Sequence, residues 1–219
     1  MSEFCRQPKV RAAYCQRWHD SGSKSFRPDD KVLLENEKYC LGMGHSTMEK
    51  NAGEKARLRP YKLKAFDPEH DGEAPGIFPF RKKIVKAVRR MWKAFKDKSP
   101  DEAARILELV DPEFRIGGTG FTKITMALNN PTPVHHDRGN VGITAVLELC
   151  SDDIEWGDHA FMDDDTVYAF KPRSGTLFLG PYKQLRHGNM ATAKGGRWIC
   201  TAYTSKDVVA WCEMQRKKA

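Results

Sequence analysis

From Phe121 onward the chain consists of short apolar stretches broken by Gly, Pro, Asp and Asn, and this texture limits the fold more than any other feature. "FTKITMALNN" alternates, so Ile124, Met126 and Leu128 fall on one face of a strand. "VGITAVLELC", "TVYAF", "GTLFLG" and "GRWICTAYTS" follow, each closed by turn residues. No helical pattern separates them, which excludes alternating βαβ units and points to a sandwich or jelly roll.

The segment before these strands reads differently. Phe80, Ile84, Val88, Met91 and Phe95 recur at helical spacing, with Val85 and Trp92 beside them, and predict a helix over residues 80–98. "SPDE" at 99–102 has the form of a capping box, with Ser99 as N-cap and Glu102 reaching back, and predicts a second helix to about Val110. Residues 1–79 are polar and irregular, with turn signals at "DSGSKS", "GMGHS" and "DGEAPG". The expected architecture is therefore α+β with a mainly β core. An irregular basic extension (1–79) and two helices (80–114) would lead into a jelly roll over 115–219, all in one compact catalytic domain.

Apolar residues make up 40% and charged residues 30% of the chain, as expected of a soluble protein. No apolar run approaches the roughly 20 residues of a membrane span. The start, "MSEFCRQPKV", carries no apolar leader, so an intracellular location is expected, nuclear if the source is eukaryotic, and a monomer. The six cysteines have no disulfide-scaffold spacing. Cys5, Cys15, His19, Cys40 and His45 contain no C-x-x-C pair and are not expected to hold zinc, while Cys150 and Cys200 sit in apolar runs that suit a core. The net charge of +8 lies almost wholly before the strands: residues 1–115 hold 25 Lys and Arg against 18 Asp and Glu, residues 116–219 hold 12 against 11. Such asymmetry suits a polyanionic partner. The helix at 80–98 carries Arg81, Lys82, Lys83, Arg89 and Arg90, which read either as a solvated face or as contacts to a phosphate backbone.

"PTPVHHDRGN" (131–140) brings His135, His136 and Asp137 together at a strand end. Side chains alternate along a strand, so His135 and Asp137 project together and His136 points away. His-x-Asp supplies two of the three ligands of a facial triad, in which two imidazoles and a carboxylate bind Fe(II) and leave open positions. Two histidines downstream could complete it. His187, in "LGPYKQLRHGN" after an apolar strand, is the choice, and His159, in the acidic "WGDHAFMDDD", is the rival. If the electron donor is 2-oxoglutarate, its distal carboxylate needs a cation. Arg197, ten residues after His187 in "GGRWICTAY", could grip it with two parallel hydrogen bonds.

His-x-Asp, a distal His, then Arg ten residues on is the order found in the Fe(II)/2-oxoglutarate dioxygenases, and the chain resembles that superfamily over roughly residues 115–206. More narrowly, "FTKITMALNNPTPVHHDRGN" looks like the TET/JBP branch, which oxidises the 5-methyl group of pyrimidines in DNA. The resemblance implies a double-stranded β-helix and His135, Asp137 and His187 as iron ligands. It also implies Arg197 as the co-substrate anchor and Asn140 as a contact to the target base. It further implies Fe(II), 2-oxoglutarate and O2 as cofactors, with ascorbate a candidate reductant, and a ferryl oxidant. Position 199 departs from the pattern: it is Ile where many members have Ser.

The expected function is oxidation of 5-methylcytosine, or of thymine, in methylated DNA, with the base flipped out of the duplex. A prolyl, other protein side-chain or small-molecule hydroxylase on the same fold is the alternative. A silent jelly roll used only for binding is a third reading, against which the intact ligand set argues. Tyr182 and Trp156 read as packing residues, Asp163, Asp164 and Asp165 as a solvated turn, and the glycines of "GGTG" (117–120) as a strand entry near the site mouth.

Overall fold

The computed structural model describes residues 39–46, 59–62, 78–163 and 166–218. In chain order the elements are β1 (Tyr39–Ser46), β2 (Tyr61–Lys62), α1 (Phe78–Lys98) and α2 (Pro100–Leu109), followed by two single 3-10 turns (Pro112–Phe114 and Ile116–Gly118). Then come β3 (Lys123–Leu128), β4 (Thr132–His135), β5 (Asn140–Cys150), β6 (Glu155–Trp156), β7 (His159–Asp163) and β8 (Thr166–Phe170). β9 (Leu177–Gly180), β10 (Arg186–Asn189), β11 (Thr192–Lys194), β12 (Arg197–Ser205) and α3 (Lys206–Arg216) complete the chain.

The strands form a six-stranded sheet, β2-β1-β3-β12-β5-β9, and a four-stranded sheet, β4-β10-β7-β8, with β6 and β11 as a separate ribbon. Every pairing is antiparallel. From β3 to β12 the chain passes repeatedly between the two main sheets, with β7 and β8 paired within the smaller one, which is the jelly roll that the sequence texture predicts and the double-stranded β-helix that the resemblance implies.

Alternation divides the larger sheet into two faces. Ile124, Met126 and Leu128 of β3, Ala145 of β5, and Trp198, Cys200 and Ala202 of β12 face outward, where Ile84, Val88, Met91, Trp92 and Phe95 of α1 close over them. Burying each large apolar side chain contributes about 1.5–3 kcal/mol, so this helix–sheet contact is the main core. Trp92 and Ile106 come so close to Gly120 that a Cβ there would lie 2.5 Å from each. Gly117 and Gly120 thus serve packing against α1 and α2, Gly118 faces open space, and none of the "GGTG" glycines lines the cavity. The opposite face, inside the barrel, gathers Val146, Ile199 and Tyr182 with Phe161 and Phe178. A smaller cluster joins Val208, Val209 and Cys212 of α3 to Val110 and Phe114.

Three expectations change. The capping box does not form: Ser99 makes no side-chain cap, and Glu102 instead receives two hydrogen bonds of 2.6 Å from Arg105. An arginine one turn away outcompetes a backbone N–H for the carboxylate. Residues 1–79, read as irregular, contain β1, which pairs along the length of β3. Gly44 of β1, at φ +108°, sits where a Cβ would lie 2.4 Å from the Thr122 carbonyl, so only glycine allows this approach. "HAFMD", read as an acidic loop, is β7. Most of the zinc reading on Cys5, Cys15, His19 and Cys40 falls outside the described side chains, as do Asp164 and Asp165. Cys200 is buried as expected, whereas Cys150 is half-buried. Among the described residues no helix is long and apolar enough to cross a membrane.

Candidate metal centre

The ladder between β4 and β10 sets His135 directly opposite His187, and Asp137 follows two residues after His135. His135 Nε2 lies 3.3 Å and His187 Nε2 3.8 Å from Asp137 Oδ1, and the two rings are 4.3 Å apart. The three ligand atoms fall within 4.8 Å of one another, the one such His/Cys/Asp/Glu group among the described residues. Each imidazole is oriented by its other nitrogen: His135 Nδ1 donates to the Pro133 carbonyl at 2.7 Å and His187 Nδ1 to the Leu185 carbonyl at 3.0 Å. Both Nε2 atoms are therefore turned toward the carboxylate, the usual orientation of metal-bound histidines. The hydrogen bond to Asp137 holds the His135 pKa above the ordinary imidazole value, and burial holds that of His187 below it. Two imidazoles and one carboxylate are a donor set that fits Fe(II).

Asn140 stands at the start of β5 and is buried. Its Nδ2 donates to Asp137 Oδ2 and to Thr144 Oγ1, both at 2.9 Å. Asp137 is also tied down by its own N–H, which donates to the Tyr182 carbonyl at 3.0 Å.

The triad opens into a cavity of about 230 Å³ inside the barrel. Its walls come from the inward positions of β3 (Thr125, Ala127), β5 (Asn140, Val146) and β12 (Ile199, Thr201, Tyr203). Asn189, two residues beyond His187 on β10, and His159 also line it. His159 is not a ligand: its Nδ1 donates to Asn189 Oδ1 at 2.8 Å and its Nε2 accepts from the Tyr182 hydroxyl at 3.0 Å. Burial pushes its pKa down to about 4, which keeps the ring neutral.

Arg197 faces the barrel interior, as its parity with Ile199 requires, but it is already paired. Its Nε donates to Glu148 Oε1 at 3.0 Å, and its Nη2 is shared between Glu148 Oε1 and Asn189 Oδ1. Ile199 is the registered partner of Glu148, so Arg197 meets the carboxylate on the diagonal of the same face. Both residues are almost fully buried, at 2% and 0%. The arginine expected to grip the co-substrate carboxylate is here balanced by a glutamate 49 residues away.

The basic residues of α1 are not at the cavity. α1 covers the outer face of the sheet whose inner face lines the cavity, so Lys82, Lys83, Arg89 and Arg90 are exposed on the far side. Arg81 is half-buried, and Arg89 donates to the Gly117 carbonyl at 2.8 Å. Arg138 and Arg186, the sequence neighbours of Asp137 and His187, and Lys183, next to Tyr182, are exposed and do not line the cavity. Arg138 follows Asp137, Arg186 precedes His187, and the Asp137–Tyr182 backbone bond brings the two loops together. Tyr182 is buried at 1% as a packing residue, whereas Trp156 is 75% exposed, at φ +63°, and packs on nothing comparable.

No family model and no curated protein matches the chain. Solved structures do. NgTET1 in complex with 5mC DNA is similar with a TM-score of 0.61 at 8% identity, over 97% of this chain and 77% of that one. A prolyl-4-hydroxylase from Pseudomonas putida gives a TM-score of 0.42 at 14% identity, over 90% and 86%. A 2OG-Fe(II) oxygenase family oxidoreductase from Burkholderia pseudomallei gives 0.44 at 14%, over 89% of each.

Proposed function

We propose that the protein is an iron(II)-dependent dioxygenase that oxidises the 5-methyl group of a pyrimidine in DNA, 5-methylcytosine first, with a 2-oxo acid as co-substrate. The observation that carries this is the convergence of His135, Asp137 and His187 on one point at the wall of an open cavity. The choice of substrate draws support from the fold shared with a protein whose structure was solved with 5mC DNA. Iron held there would supply the O2 chemistry, one oxygen atom going to the methyl carbon and the other to the decarboxylated 2-oxo acid.

The chain's own residues do the rest. Pro133 and Leu185 carbonyls fix the imidazole tautomers, and Asn140 with the Tyr182 carbonyl fixes Asp137. Asn140 spends both amide hydrogens, so its carbonyl oxygen is what it has left for a base. An acceptor suits the amino group on C4 of cytosine, next to the methylated carbon, and not the C4 carbonyl of thymine. The rim of Arg138, Lys183 and Arg186 would hold the phosphates flanking a flipped nucleotide. The α1 cations are left as a solvated face.

The test is mass spectrometry of nucleosides from methylated DNA incubated with protein and Fe(II), with 2-oxoglutarate, its 5-amide 2-oxoglutaramate or ascorbate supplied in separate reactions, activity with any one of them counting for the reading. Loss of 5-methylcytosine with matching gain of an oxidised product is expected. Unchanged DNA, alongside hydroxylation of a prolyl peptide or a small molecule, would transfer the reading to the alternative substrates.

A further inference from the structure

Apart from the triad, the lining of the cavity is chemically unlike an anchor for a second carboxylate. Among the described residues, no lysine or arginine lines it. It is walled by neutral polar groups, Thr125, Asn130, Thr132, Thr201 and Asn189, beside apolar Val146 and Ile199. Arg197, the one cation on the inner face of β12, lies one inward position beyond Ile199 and is closed off by Glu148. Glu148 Oε2 is buried and accepts no hydrogen bond among the described residues. The pair is electrically balanced already. A dicarboxylate entering here would add a buried negative charge with no free cation, a cost of several kcal/mol unless Glu148 left.

We propose that Glu148 is the specificity-determining residue of the co-substrate site: by neutralising Arg197 it excludes a second carboxylate and selects a 2-oxo acid whose far end is uncharged and bears hydroxyl or amide groups. This rests on the oxygenase reading and deepens it. The 2-oxo acid end would meet the metal. The uncharged end would hydrogen-bond to the threonine and asparagine wall, with a donor available for Glu148 Oε2 if the ligand reaches past Ile199.

The test is anaerobic calorimetric binding of 2-oxoglutarate and of its 5-amide, 2-oxoglutaramate, to protein loaded with Mn(II), with no DNA present. The amide should bind the natural protein at least tenfold more tightly than the dicarboxylate. In Glu148→Gln the guanidinium loses its counter-charge while the shape is kept, so the preference should reverse by tenfold or more. 2-Oxoglutarate should also raise the Tm of that variant more than that of the natural protein. The ligand comparison on the natural protein needs no variant, so misfolding of Glu148→Gln would not rescue the proposal. Equal or tighter binding of 2-oxoglutarate to the natural protein overturns it and leaves the oxygenase reading standing. Binding of Mn(II) but of neither 2-oxo acid overturns both.

Discussion

Asn140 holds Asp137 by the carboxylate oxygen that faces away from the histidines: Nδ2 meets Oδ2 at 2.9 Å while Oδ1 is left to His135 and His187. A residue expected to read the base is thus first a positioning residue for the metal ligand. Asn140→Ala should weaken Co(II) or Fe(II) binding by about ten- to hundredfold, the usual cost of losing a group that orients a ligand. Equilibrium metal titration of the apoprotein measures this. Unchanged metal affinity with slowed base oxidation would return Asn140 to a purely base-contacting role.

Removing a ligand should be far more severe. His135→Ala, Asp137→Ala and His187→Ala should each abolish turnover while circular dichroism stays close to that of the natural protein, because the ligands sit at a strand end and not in the helix–sheet core. His159→Gln should keep the metal, since His159 bonds to Asn189 and Tyr182 and not to the triad. Loss of metal from His159→Gln would reverse the choice between the two histidines.

His159 also sets a pH dependence. Its pKa falls from 6.5 in the unfolded chain to about 4 in the fold, so the folded state resists protonation. The resulting stability is present above pH 6.5 and is lost as pH falls toward 4. A displacement of that size corresponds to roughly 3 kcal/mol at most. Urea unfolding of the metal-free protein at several pH values, compared with His159→Gln, should show the natural protein losing more stability over this window. Parallel profiles would mean that His159 carries no such linkage.

In the larger sheet β3, β5, β9 and β12 were legible because one face of each packs into the helix-covered core, which imposes alternation on β3 as Ile124, Met126 and Leu128, whereas β1 and β2 in the polar stretch before α1 were not. The smaller sheet was legible only in part: β8 is the "TVYAF" strand read from the sequence, whereas β10 is "RHGN", with no apolar residue to mark a face. β7 was hidden by the acidic run around "HAFMD". The proposed triad could be read because His135 and Asp137 lie two residues apart at a strand end and His187 follows an apolar strand. The partner of Arg197 could not, because the diagonal contact with Glu148 exists only once β5 and β12 are set in register.

That buried pair makes its own prediction. Arg197→Met should destabilise the protein by about 3–5 kcal/mol, because it leaves the Glu148 carboxylate buried and uncompensated. Glu148→Met should do the same to the guanidinium. The double variant should be more stable than either single one, since two apolar side chains of similar size leave no orphan charge. Denaturant unfolding of all four proteins gives the coupling directly, and additive losses would show that the two groups do not depend on each other.

The last prediction separates the two basic surfaces. Each phosphate contact releases counterions, so its loss lowers the salt dependence of DNA binding by about one in the slope of log K against log salt. Arg138, Lys183 and Arg186 flank the ligands, whereas Arg81, Lys82, Lys83, Arg89 and Arg90 lie on the helix behind the sheet. On the proposed reading a flipped base would enter where the cavity opens, and cations next to Asp137 and His187 in the chain are better placed for its flanking phosphates than those of α1, which covers the outer face of the sheet. Neutralising the three rim residues to Gln should flatten the slope by about two to three and weaken binding to all sequences alike. Neutralising Lys82, Lys83 and Arg90 of α1 should change neither. Arg89 is left intact there because it holds the Gly117 carbonyl. If the α1 set carries the salt dependence and the rim set does not, DNA meets the protein across the helical face, and the route of the base into the cavity must be sought from that side.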